Sequence, residues 1–230
     1  SLTAKSGGIM NFEFIGTWQY WGVAAVVSLV ALLLVLFRKP WRFLVGHSAR
    51  QHGVVVAALA LALFWLLRVN IEDLLQLHPL LMMSIVMVFG VELAILIGTL
   101  SLIVIMVVEG AGLAAMIMPH TFTVVIPALT AHLVLELIRR APSRNLFVYM
   151  LGGGFFGSML SVLLRALARL GFIAVFGPGP LWVIAIDHYY LCWLMMFPEG
   201  FINGAIVTTL TVLAPQWVKT YDDHRYLDDQ

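Results

Sequence analysis

Charge is scarce in this chain. Asp, Glu, Lys and Arg make up 11% of its 230 residues, against 62% hydrophobic ones, and the mean hydropathy is +0.99. A soluble domain carries about a quarter charged residues, so a water-soluble fold is excluded. The charge that remains is balanced, with thirteen basic and twelve acidic side chains giving a formal net +1. That excludes a nucleic-acid-binding surface. Cysteine is reduced to Cys192, which excludes an intramolecular disulfide framework and a multi-cysteine zinc site. Walker sequences, a G-x-S-x-G elbow and the paired-histidine spans of an intramembrane haem site are absent. No organic cofactor and no intrinsic catalytic activity are expected. Flexible linkers and low-complexity repeats are missing as well, which leaves one polytopic domain. Eleven methionines read as packing material.

Long apolar runs fill this frame. Residues 1–9 read as an added leader before Met10, and residues 10–230 as a single transmembrane domain with a short cytoplasmic C-terminal tail. The first run, Thr17 to Phe37, carries Trp18, Tyr20 and Trp21 at its front edge, as an interfacial belt would. Gly53 to Leu67 follows. Leu80 to Val108 is too long for one span and divides at Phe89-Gly90. Thr121 to Ile138 and Asn145 to Leu164 are next, then apolar material from Leu181 to Ala214 interrupted by Pro198-Glu199-Gly200. Placing residues 38–52, 139–144 and 215–230 inside gathers nine of thirteen basic residues on the cytoplasmic face. The expectation is an all-α bundle of about seven spans, N-terminus outside, with residues 181–197 along the outer face; if that piece spans, there are eight.

Two glycine pairs permit close helix crossings, Gly153 with Gly157 and Gly200 with Gly204. His78, Glu109 and His120 all fall at outer span ends, which brings two imidazoles and a carboxylate to one membrane level. These are ligand types for a divalent transition metal. His132 and Glu136, four residues apart, share a helix face, and Glu136 has Arg139 and Arg140 within a turn. Ser161, Arg165 and Arg169 form a stripe whose arginines can snorkel to headgroups. Pro198, Glu199 and Asn203 read as the capped entrance of the last helix, Pro at its start and Glu199 at its positive end. Glu199 is also a candidate fourth metal contributor beside His78, His120 and Glu109.

The segment FPEGFINGAIVTTLTVLAPQWVKTYDDHRYLDD, with NLFVYMLGGGFFGSM and SARQH upstream, resembles the CbiM/NikM-like membrane components of energy-coupling-factor transporters, from Met10 to Asp229. The resemblance implies a helical substrate-binding component for cobalt or nickel import in a bacterial cytoplasmic (inner) membrane. It also implies work alongside a transmembrane coupling subunit, cytosolic ATPases and a small accessory membrane protein. In that family the ion is held by the processed N-terminus, the adjacent histidine and a second histidine near the outer mouth, which His78 matches by position. Asn11 stands where the family has its first ligand histidine, and Met116 to His120 departs from the family pattern. Three readings follow: transition-metal uptake, transport of another small solute, and a membrane binding or assembly module without transport of its own.

Overall fold

A computed structural model describes residues 18–71, 75–141, 145–177, 179–222 and 226. The expectations for residues 1–9, Met10 and Asn11 lie outside the described residues. The protein is a multi-pass membrane bundle, and among the described residues six helices are long and apolar enough to cross a bilayer. These are α1 (Trp18–Arg38) and α2 (Ser48–Leu66), then α4 (Val91–Glu109), α5 (Leu113–Arg140), α6 (Val148–Phe176) and α8 (Leu191–Leu213). Two short α-helices lie between them, α3 (Met82–Phe89) and α7 (Gly179–His188). A two-stranded antiparallel hairpin, β1 (Val69–Ile71) and β2 (Leu75–Leu77), pairs Val69 with Leu77 and Ile71 with Leu75.

Of the about seven spans expected, six are long helices among the described residues, and the remaining one, the third, is a broken crossing. The third segment is helical for only eight residues. Its length is made up by residues 78–81, which lie outside helix and strand, with Leu81 in the left-handed region at φ +58°. Pro79 explains the break, since it supplies no N–H and disfavours helix in the residue before it. The last span differs too. It starts at Leu191, so residues 191–197 belong to the membrane helix, and only α7 forms a separate piece after the Gly-Pro-Gly-Pro break. Pro198 is inside α8, not at a helix start as expected.

The glycines do bring helices together. At Gly200 a Cβ would stand 2.9 Å from Met159 Cγ and 3.0 Å from the Phe155 carbonyl, and at Gly154 it would meet Gly204 Cα at 3.3 Å. Gly154, Gly200 and Gly204 thus seat α8 on α6. Gly153 and Gly157 turn elsewhere, toward Met87 and Met83 of α3 and toward Leu135 and Val134 of α5. Around them α6 opens into wide, π-type turns from Val148 to Gly157, and α5 does the same from His120 to Val125. The core runs through Trp65, Met82, Met87, Ile97, Ala128 and Val207, while Leu29, Leu63, Val107, Leu137 and Phe201 point outward, as lipid-facing residues do.

Candidate functional site

A helix beginning inside a membrane protein has N–H groups with neither intrahelical partners nor water to satisfy them. Two α8 side chains meet that need at α3. Glu199 Oε2 accepts from Leu80 N at 2.6 Å and Oε1 accepts from Leu81 N at 2.7 Å. One turn on, Asn203 Oδ1 accepts from Ser84 N at 2.9 Å and from Ser84 Oγ at 2.7 Å. Asn203 Nδ2 in turn donates to Glu199 Oε1 at 2.8 Å. Glu199 is 2% exposed and Asn203 fully buried. A carboxylate suits the positive end of a helix, so the sequence identified the correct electrostatics and the wrong helix. Glu199 caps α3, not α8.

The other end of α3 is closed from the chain after α8. Lys219 N donates to Val88 O at 3.0 Å and Thr220 N to Met87 O at 3.2 Å. Thr220 Oγ1 donates to Met87 O at 2.8 Å and lies 2.7 Å from Tyr149 Oη. Both ends of this half-helix are therefore held by segments more than a hundred residues away.

His78 stands at the mouth of the broken crossing, outside the six spans, with 6% of its surface exposed. Its ring packs against Trp65, centroids 5.7 Å apart, and Trp65 Nε1 donates to Leu80 O at 3.3 Å. The imidazole Nδ1 lies 3.1 Å from the Pro79 carbonyl. A carbonyl only accepts, so Nδ1 carries the proton and Nε2 keeps a lone pair. Burial, and after it the positive charge of Arg165, pushes the pKa down to about 3. The ring is neutral at any physiological pH. A small cavity of about 40 Å³ adjoins it, lined also by Arg68, Trp65, Pro119 and Thr123.

The remaining metal candidates have separate surroundings. Glu109 pairs with Arg68 at 2.6 Å, leaving Glu109 Oε2 and Arg68 Nε without a hydrogen-bond partner among the described residues. His120 Nε2 lies 3.0 Å from Thr99 Oγ1. Thr99 spends its only proton on Ile95 O at 2.7 Å, so His120 donates from Nε2, and its buried Nδ1 is left as an unused acceptor. Among the described residues, no group of three or more His, Cys, Asp or Glu is placed to hold one ion. The structure therefore does not gather His78, His120, Glu109 and Glu199 into a single cluster.

At the opposite end, Glu136 pairs with Arg140 at 2.9 Å and Arg139 at 3.8 Å. His132 lines a cavity of about 500 Å³ with Glu92, Arg139, Lys219 and Asp222, and Glu92 pairs with Arg38 at 2.8 Å. The stripe on α6 is the larger surprise. Its side chains climb α5 in register: Ser161 Oγ donates to Pro127 O at 3.4 Å, Arg165 Nη2 to Thr123 Oγ1 at 3.4 Å, and Arg169 Nη1 contacts Met118 Sδ at 3.0 Å. Arg169 is buried and its guanidinium lies over the Phe122 ring. These arginines do not snorkel to headgroups; they face protein. The four-residue spacing showed one face, but nothing local told whether lipid or protein lay opposite. No family model, curated protein or solved structure matches this chain.

Proposed function

We propose that this chain is the substrate-binding membrane component of a divalent transition-metal importer of a bacterial inner membrane, driven by separate subunits. One observation carries the reading. A neutral imidazole with a free Nε2 lone pair, His78, stands where a crossing is broken and its backbone unwound beside a cavity. Transporters build substrate sites at discontinuous helices of this kind, and neutral imidazole is a common metal ligand. The CbiM/NikM-like resemblance points to the same residue. His78 supplies the protein's lone pair, and solvent or the ligands that accompany the ion complete its coordination. Energy comes from outside the chain. The basic segments that the positive-inside rule puts in the cytoplasm, beside the cavity lined by His132, Lys219 and Asp222, support docking of a coupling subunit there.

The test is isothermal titration of purified protein with Ni²⁺, Co²⁺ and Zn²⁺, alongside H78A. Loss of a ligating histidine should weaken binding about tenfold or more, and cells expressing H78A with the helper subunits should lose uptake. Wild type that retains no metal would end this reading. It would favour a binding or assembly module.

A further inference from the structure

Arg165 lies on the inward face of α6, one turn below the buried Arg169 and one turn from the buried Ser161. A guanidinium has five N–H donors and cannot shed its proton. Among the described residues those donors have a single hydrogen-bond contact, the 3.4 Å approach to Thr123 Oγ1. The acid whose field reaches Arg165 is Glu199, and both its oxygens are held by the start of α3. The other described groups that interact electrostatically with Arg165 are Cys192, Tyr189, Arg169 and His78. None of them offers a carboxylate. Yet Arg165 keeps accessible surface in a bundle interior where lipid supplies no hydrogen bonds. Ionisable groups so placed mark ligand or ion sites.

We propose that Arg165 is the centre of a binding site for a small carboxylate anion, between α5 and α6. A carboxylate is the partner that accepts two parallel N–H bonds from the guanidinium fork. Thr123 accepts from Arg165, which leaves its own hydroxyl proton for the anion. Thr123 also lines the small cavity that His78 and Arg68 share, so the hydroxyl that meets Arg165 stands beside open space near His78. An anion seated there offsets the positive field that Arg165 imposes on His78. The site requires no metal.

The experiment uses purified full-length protein, stripped of metal on a chelating resin and held in a methanesulfonate buffer. Sodium acetate, chloride and further methanesulfonate are titrated at constant ionic strength, with thermal unfolding read from tryptophan fluorescence. Acetate should raise the unfolding midpoint saturably by several degrees and chloride much less. R165K should need about tenfold more acetate or worse, because an ammonium lacks the planar fork. R165M should ignore acetate and, without anion, be at least as stable as wild type, since it removes a buried cation short of partners. Three results overturn the proposal: a flat wild-type response, an R165M midpoint that still rises with acetate, or an anion-free R165M clearly less stable than wild type. Chloride acting as strongly as acetate overturns the carboxylate assignment. Ni²⁺ titration separates the two ideas: R165M should bind nickel as wild type does while its acetate response is lost, and H78A should keep the acetate response while nickel binding weakens.

Discussion

Glu199 and Leu81 are 118 positions apart in sequence, and Oε1 of the first accepts the backbone N–H of the second at 2.7 Å. This contact, with its twin at Leu80, allows a helix to begin inside the bundle. E199Q keeps the shape but loses the charge and exchanges one acceptor for a donor that faces Leu80 or Leu81. It should cost about 2 kcal/mol, and E199A more. E136Q, which removes an exposed ion pair, should leave stability near that of wild type. Unfolding of each variant in detergent measures the difference; an E199Q midpoint matching wild type would remove the capping role.

The glycine contacts predict an order of sensitivity. G200A places a methyl group against a backbone carbonyl and Met159, and overpacking of that kind costs about 1–3 kcal/mol. G204A meets Phe155 Cβ at 3.4 Å, ordinary contact, and Gly22 has open space around it. The expected ranking of destabilisation is G200A, then G204A, with G22A neutral. Any other order, measured by the same unfolding assay, contradicts the seating of α8 on α6.

His78 sets a pH dependence. Its pKa falls from the ordinary 6.5 to about 3 on folding, so the unfolded chain binds the proton more readily. Its contribution to stability is complete above pH 6.5 and is lost progressively as pH drops toward 3. Wild type should therefore lose stability between pH 7 and 4.5 more steeply than H78Q. Parallel slopes for the two proteins would show that His78 is not held neutral.

Orientation can be read by labelling. With Cys192 replaced by alanine, a single cysteine at Gly112, after α4, should react with an impermeant maleimide in intact cells. One at Lys39, after α1, should react only after permeabilisation, because the basic loops lie inside. Reversed accessibility would invert the bundle.

Composition alone made this a membrane protein: with so little charge, water cannot solvate the surface that 62% hydrophobic residues create. The apolar run lengths located four of the six long helices and parts of α6 and α8, and the break after Phe89 and the piece after Gly177 were also readable, because glycine and proline act locally on the backbone. Pro198 misled for the same reason, since a proline in a buried helix is tolerated when neighbours carry the strain. What Glu199 and Asn203 serve was not legible. Their spacing put them on one face, but the free N–H groups they satisfy belong to a helix more than a hundred residues earlier. The α6 stripe shows the same limit. Spacing aligns Ser161, Arg165 and Arg169, whereas only the packing of α6 on α5 decides that they face protein and not headgroups. Local periodicity is set by the chain; which surface meets which is set by backbone approach at glycines and by the pairing of polar groups that the bilayer leaves no other way to satisfy.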